Sequence, residues 1–417
     1  MKILWVKSGE ILPVDTGGKL RSYNILRRLA ERHEVTFLSY YGGRKNEAYE
    51  QQIKDELPGA VALYARTWDF RPLERRLHYL LSFPLGVPYA ISKFKSKPAR
   101  RLIAQWLEER RFDAAVCDFL SAAPNFPRTL PIPVVLFQHN VESVLWRRQA
   151  QMEANPARRA AFRVEARRME RYEPAAVRRF HHVIAVSEVD RQRMSAMTDA
   201  SRITVIPTGV DLGLYKPDPA AVADPSLVVF VGSMDWKPNM DGVEYFCREI
   251  WPLVLARHPA ARFRIVGRTP PIQVRRLACE TVTVTGTVPS VIEHFREAAV
   301  VVVPLRIGGG TRLKILEAMA SGKAVVSTSV GAEGLDVHAG RDIVLADDPA
   351  SFAASIVELI QNAELRRRYE LAAAELAASY DWGVVAALFA AVLEEATQCA
   401  VPVKESREPI ATTIQEQ

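Results

Sequence analysis

Cysteine is scarce in this chain of 417 residues: four occur, Cys117, Cys247, Cys279 and Cys399, with no C-x-x-C pair and no histidine cluster beside them. That spacing excludes a disulfide framework and a structural zinc site, and it fits incidental thiols in a reducing compartment. Long apolar runs are also missing. No stretch reaches the roughly 18 apolar residues of a membrane span. The opening strand Met1-Lys2-Ile3-Leu4-Trp5-Val6 gives way at once to Lys7, Gly9, Glu10 and Pro13, too short and too polar downstream for a secretory signal. A cytoplasmic location is expected. No Asp-x-Asp pair follows a strand in a suitable place, so no metal is expected at a phosphate site.

What the chain has is an ordinary globular composition, 48% hydrophobic and 25% charged residues, with a net charge of +7. Disorder is excluded as the main theme. The basic excess points to an acidic partner, either a nucleotide or an anionic leaflet. The basic residues are spread over helices without a recognisable nucleic-acid module, so nucleic acid is not an expected partner.

Strand and helix signals alternate along the chain. Ile3–Val6, Val35–Leu38, Val61–Tyr64, Ala114–Cys117, Val134–Phe137 and Val183–Val186 read as buried strands, with helical stretches such as Leu20–Arg32 and Arg100–Arg111 between them. A second series follows at Leu227–Val231, Phe263–Val266, Val282–Thr285, Val300–Val303, Ala324–Ser327 and Ile343–Leu345. Between the series lies a proline-marked linker with Lys216-Pro217-Asp218-Pro219 and Asp224-Pro225. This pattern predicts an α/β protein of two Rossmann-like domains with parallel sheets, residues 1–207 and 227–379, joined by a linker over 208–226. Residues from about 401 to 417 are polar and read as a loose tail.

The most informative stretch is Arg306-Ile307-Gly308-Gly309-Gly310-Thr311-Arg312-Leu313-Lys314-Ile315-Leu316-Glu317, directly after the strand Val300–Val303. A strand runs into a glycine turn and the turn into a helix. Free N–H groups of Gly310, Thr311, Arg312 and Leu313 at a helix start make an anion site. Arg312 and Lys314 put two positive charges in the first turn, where a purely structural helix favours Asp or Glu; a bound phosphate would offset that cost. Glu317, on the face of Leu313 or Lys314, can accept hydrogen bonds from the paired hydroxyls of a ribose. The alternative is a glycine-rich turn with a surface glutamate. A dinucleotide fingerprint fits less well, because the glycines lack the G-x-G-x-x-G spacing.

Other candidates stand at the carboxyl ends of predicted strands, where ligands of such sheets bind. Gly17-Gly18 either brings backbone close to a donor phosphate or an acceptor, or makes a flexible turn. His139-Asn140 follows Val134–Gln138, with His139 either structural or facing the cleft, and Glu142 either contacts the acceptor or starts the next helix. The long basic helix Arg158–Arg179 reads as a solvated face. Leu73–Trp106 mixes aromatic, aliphatic and basic residues, as in a segment lying on an anionic membrane or a core-packed helix pair with a basic rim.

The segments Leu316-Glu317-Ala318-Met319-Ala320-Ser321-Gly322, Ala324-Val325-Val326-Ser327-Thr328 and Gly331-Ala332-Glu333-Gly334-Leu335 resemble the donor site of the retaining GT-B glycosyltransferases typified by bacterial family 4. Gly17-Gly18, His139-Asn140, Val186-Ser187-Glu188, Val205-Ile206-Pro207-Thr208-Gly209-Val210-Asp211 and Val231-Gly232-Ser233-Met234 fall in family order. The resemblance implies a GT-B fold, the two sheets facing a central cleft and a last helix, 380–400, crossing back to the first domain. It implies transfer of a sugar from a nucleotide-diphosphate donor to a glycan or lipid-linked acceptor, in the branch that assembles exopolysaccharides and surface glycans. The enzyme would work without a metal, in the cytoplasm or peripherally on the inner face of the plasma membrane. The implied donor site comprises Gly17, Gly18, Gly232, Thr287, Val288, Gly309, Gly310, Thr311, Arg312, Leu313, Lys314 and Glu317. Thr287 and Val288 would read the base through main-chain groups. His139, Lys237 and Arg312 would carry catalysis, and His139, Asn140 and Glu142 would meet the acceptor. The sequence departs from the family in having Gly309 where the first Glu of a Glu-x7-Glu pair usually stands, and only Lys237 to match the basic residues after Gly232. A sugar-nucleotide epimerase of the same fold, or a non-catalytic sugar-nucleotide-binding protein, are the alternative functions.

Overall fold

A computed structural model describes residues 1–65, 87–218, 223–307 and 312–399. Gly309, Gly310, Thr311, the first part of the Leu73–Trp106 segment and the 401–417 tail lie outside the described residues.

Seven parallel strands form the first sheet: β1 (Lys2–Ser8), β2 (Glu34–Tyr41), β3 (Val61–Tyr64), β4 (Ala114–Asp118), β5 (Val134–Phe137), β6 (His182–Ala185) and β7 (Ile203–Val205). Their order is β3-β2-β1-β4-β5-β6-β7. β1 is central, with Ile3 opposite both Val35 and Ala114. Its run Ile3-Leu4-Trp5-Val6 is fully buried because both faces are covered, Ile3 and Trp5 in one apolar cluster and Leu4 and Val6 in another. Helices on both faces explain why such a strand reads as continuously apolar instead of alternating.

The second sheet holds six parallel strands, β8 (Leu227–Val231), β9 (Arg262–Val266), β10 (Val282–Gly286), β11 (Val300–Val303), β12 (Ala324–Ser327) and β13 (Val344–Leu345). They run in the order β10-β9-β8-β11-β12-β13. In each sheet the order reverses beside the first strand, between β1 and β4 and between β8 and β11. Ligands of open α/β sheets bind outside the carboxyl ends at such a reversal.

The last helix, Trp382–Cys399, packs on the first sheet. Val385, Phe389, Val392 and Leu393 belong to the cluster around Trp5, and the Phe389 ring stacks on Trp5 at 5.1 Å. Its start is pinned to the linker, where Val210 donates to the Tyr380 carbonyl at 2.7 Å and a β-carbon on Gly209 would meet the Trp382 ring at 2.5 Å.

One expectation changes at this level, and for a second segment the core-packed alternative fits its described part. The basic helix, observed as Pro156–Val177, is more than a solvated face: Glu165, Met169, Glu173 and Val177 are buried, and Glu173 accepts the backbone N–H groups of Glu142 and Ser143 at the next helix start. From Val87 onward the Leu73–Trp106 segment turns inward, with Ile91, Ala99 and Ile103 in the first domain's core. No described helix is long and apolar enough to cross a membrane.

Candidate active site

A cavity of about 580 Å³ lies between the carboxyl ends of the two sheets, lined by the loops that follow β1, β4, β5, β8 and β11. The walls approach each other where a β-carbon on Gly17 would stand 3.6 Å from Leu313 Cδ1.

The first wall is organised by a buried charge. Asp118, at the end of β4, accepts hydrogen bonds from Trp5 Nε1 (3.0 Å), Lys7 Nζ (3.0 Å) and His139 Nε2 (2.7 Å). Burial works against its charge, but Lys7 and His139 outweigh burial and hold the carboxyl well below the usual range. Arg21, from helix Gly17–Ala30, donates Nε to Thr208 Oγ1 at 2.7 Å and Nη1 to His139 Nδ1 at 2.9 Å. A guanidinium has no acceptor, so Nδ1 carries the lone pair and Nε2 the proton. His139 is a neutral imidazole in one tautomer. Burial pushes its pKa down to about 3, helped by Arg21 and Lys7 against the pull of Asp118. Phe119 stacks flat on the imidazole at 3.6 Å, and Gly18 leaves room for that ring, since a β-carbon there would lie 2.6 Å from Phe119 Cζ.

The second wall is built on helix Leu313–Ala320, with Arg312 as its N-cap residue. Lys314 Nζ donates to Asn239 Oδ1 at 2.7 Å and stands 4.2 Å from the centre of the Phe230 ring. Burial, with Arg312 beside it, lowers the Lys314 pKa to about 7. Gly232 leaves room for that ammonium and for the Asn239 amide, which a β-carbon would meet at 2.6 and 2.7 Å. Arg312 is 3% exposed and faces the Trp236 ring at 5.5 Å; burial lowers its pKa to about 10, so it stays charged. Glu317 is raised above the usual carboxylate range by burial, against a hydrogen bond from Tyr215 and the charge of Lys314. The cavity thus offers cations from both domains and one carboxylate with a proton affinity above normal. Such a set can bind an anion of two or more charges and a neighbouring diol.

The structure brings Gly17, Gly18, His139, Asn140, Gly232, Arg312, Leu313, Lys314 and Glu317 to one cavity. Other expected residues lie elsewhere. Lys237 starts helix Lys237–Tyr245, is exposed, and lines a neighbouring cavity. Glu142 does start a helix, and its carboxyl is pushed up to about 7 by burial and by Glu173 instead of lining the cleft cavity. Thr287 and Val288 follow the edge strand β10 and do not line the cavity. Both ring nitrogens of His139 are engaged within the first wall, and His139 and Asn140 both line the cavity. Sequence reasoning missed Lys7, Arg21, Asp118, Trp236, Asn239 and Tyr215. Asp118 carried a signal, a carboxylate ending an otherwise apolar strand at the sheet's reversal; Arg21 carried none, being one of several arginines on its helix.

Among the described residues no group of three or more His, Cys, Asp or Glu side chains is placed to hold a metal ion. A family model described as Glycosyltransferase Family 4 matches residues 17–214, and one described as Glycosyl transferases group 1 matches 225–362. The chain belongs to the family 4, group 1 glycosyltransferases. Over 235 residues it is 30% identical to the phosphatidyl-myo-inositol mannosyltransferase of Mycolicibacterium smegmatis, a match covering 54% of this chain and 59% of that protein. The chain thus spans little more than half the length of that relative. Sucrose-phosphate synthase from Thermosynechococcus elongatus superposes with a TM-score of 0.69 at 16% identity, covering 96% of this chain and 100% of the other. Anabaena HepE in complex with UDP superposes with a TM-score of 0.67 at 16% identity, covering 95% and 100%. These likenesses establish the GT-B fold.

Proposed function

We propose that this family member transfers a sugar from a nucleotide-diphosphate donor to a glycan or lipid-linked acceptor, with retention of configuration and without a metal, in cell-surface glycan assembly at or near the cytoplasmic membrane face. The observation that carries this reading is the pairing of Arg312 and Lys314 at the start of helix Leu313–Ala320 with Glu317 one turn on, all opening into one cavity. The two cations and the helix start would hold the diphosphate, and Glu317, oriented by Tyr215, would take the ribose hydroxyls. Bond order shifts simply: the acceptor oxygen bonds to the anomeric carbon, the bond from that carbon to the diphosphate oxygen breaks, and the acceptor proton leaves on the diphosphate. Arg312 and Lys314 would stabilise the charge that grows on the leaving group. Arg21 and His139 shape the facing wall, and domain closure would exclude water. The HepE complex with UDP and the lipid-inositol acceptor named for the mycolicibacterial relative support the donor and acceptor classes.

The test is thermal unfolding of the purified chain against a panel of nucleotide sugars and free nucleotides. A ligand at about a hundredfold its Kd adds roughly 2.7 kcal/mol, several degrees in midpoint. One nucleotide class should raise the midpoint, and Arg312→Ala should abolish the rise. No response to any member of the panel sinks the reading; a shift without glycosyl transfer to any acceptor would favour a binding protein.

A further inference from the structure

A second cavity, of about 520 Å³, adjoins the first and shares Asn140 and Trp236 with it. Its volume falls within the range of small-molecule sites, roughly 300–1,000 Å³. Its walls differ in character from those of the first. Leu145 and Met152 from helix Glu142–Met152 face Phe162 from the next helix, and Trp236 and Pro238 close it from the other domain. Phe162 is held edge-on against Trp146, with ring centres 5.8 Å apart. Trp236 is 39% exposed, a large indole left in water where the charged cavity meets one whose apolar wall is edged by Arg148, Gln149 and Glu153. Arg148, which lines the same cavity, reaches across the cleft to Glu333 in a two-bond contact (3.0 and 3.3 Å) that holds the two domains at this spacing. Exposed apolar surface concentrated in a concave site is a mark of ligand binding rather than of a solvated face.

We propose that this second cavity seats an apolar aglycone on the acceptor, so that the hydroxyl to be glycosylated enters the neck between Asn140 and Trp236 and meets the sugar held in the first cavity. The assignment rests on the donor reading of that first cavity, and the reaction is the transfer written above. Three features support it together. The two cavities share Asn140 and Trp236 in their walls, so the apolar walls of one stand directly beside the other. The indole at the neck offers an aromatic face to a sugar ring. Lys237, exposed and next in sequence to Trp236, adds a cation to a lining that also holds Arg148 and Glu153, so a polar linkage next to the sugar is accommodated beside the apolar walls. The substrate class is therefore an amphipathic glycoside or glycolipid rather than a free oligosaccharide.

The experiment uses the full chain saturated with whichever nucleotide stabilises it, and octyl β-D-glucoside, octyl α-D-mannoside and their methyl counterparts below micellar concentrations. Saturation-transfer NMR reports which ligand protons touch the protein. The octyl chain protons should receive saturation, and the matched methyl glycosides should bind at least tenfold more weakly. Phe162→Asp and Leu145→Asp, both at partly exposed positions, should remove the chain signal while leaving the nucleotide-induced thermal shift unchanged, which also reports that the variants fold. Equal binding of methyl and octyl glycosides overturns the aglycone site, as does a chain signal that survives both variants; in either case an intact nucleotide shift leaves the donor reading standing. Absence of any nucleotide shift in the unmodified chain is failure of the donor reading itself, and the aglycone assignment falls with it.

Discussion

Replacing Asp118 by Asn tests the first wall most directly. The carboxylate is fully buried and receives Trp5, Lys7 and His139. In the variant the shape is kept and the charge removed. Lys7, 3% exposed, is then a buried ammonium without its counter-ion and with Arg21 nearby, and at least one of the three donors faces an amide NH2. Breaking a buried pair by removing one member costs about 3–5 kcal/mol, because the remaining charge is uncompensated. If that is the mechanism, removing both charges should cost less: Lys7→Met with Asp118→Asn should recover at least 1 kcal/mol relative to Asp118→Asn alone. The assay is a double-mutant cycle by urea unfolding, followed by the fluorescence of Trp5 in the first domain's core; the second domain is watched separately because two-domain unfolding need not be two-state. The same charge predicts a pH dependence. A carboxyl whose folded pKa is depressed contributes stability above its unfolded value near 4, and this is lost as pH falls toward the folded value. Wild type should therefore lose first-domain stability more steeply below about pH 4 than Asp118→Asn. A single-variant cost under 1 kcal/mol, or no recovery in the double variant, refutes the claim that charge pairing organises this wall.

Other expectations follow from the second wall and from the packing. With the Lys314 pKa lowered to about 7 by burial, nucleotide-sugar affinity should weaken by up to roughly tenfold per pH unit above 7, because the anion binds the protonated amine; calorimetry in buffers of different ionisation enthalpy should show proton uptake, and Lys314→Met should abolish it. Gly18→Ala puts a methyl 2.6 Å from Phe119 Cζ and should cost about 1–3 kcal/mol as overpacking, with Phe119→Leu partly restoring stability in thermal unfolding. Phe389→Ala should destabilise the first domain by about 3–5 kcal/mol although residue 389 is near the end of the chain, as limited proteolysis of the two halves would show. Glu333→Gln should loosen the contact from Arg148 and Arg193 by about 1 kcal/mol or less, given their partial exposure, and increase the radius of gyration in small-angle scattering.

The fold was legible because its signals are local. Buried parallel strands such as Val134–Phe137 and Val300–Val303 are short apolar runs, and the observed bounds coincide with the expected ones there. β7, Ile203–Val205, was missed as a strand, since three residues leading into Pro207 carry no period. The candidate site was half legible. Residues on the glycine-loop helix announce themselves by breaking the charge preference of a helix start, and Gly232 by following a strand. Arg21 and Lys7 act through partners more than a hundred positions away, Thr208 and Asp118, and no spacing rule reports such a pairing. Lys237 shows the reverse case. Its position beside Trp236 matched a family pattern, yet the turn directs it to the mouth of the neighbouring cavity.

On the proposed reaction, the charges on the two walls favour a site built from both domains. Lys7, Arg21 and Asp118 with neutral His139 leave the first wall with one net positive charge, and Arg312, Lys314 in its protonated form and ionised Glu317 leave the second with one. On the proposed reaction the donor diphosphate brings two negative charges, so the closed cleft is balanced and either open half is not. As the bond to the anomeric carbon breaks, negative charge grows on the diphosphate, and the surplus falls beside Arg312 and Lys314, the two cations already partly stripped of water. Their field acts in a low-dielectric site and needs no reorganisation, which is the condition under which fixed charges lower a barrier most. On that reading, the burial that depresses the Lys314 pKa would also strengthen its hold on the leaving group. A substitution that exposes Lys314 to water should raise its pKa and weaken catalysis together, and Phe230→Ala, which removes the ring beneath the ammonium, should separate that outcome from a simple loss of charge.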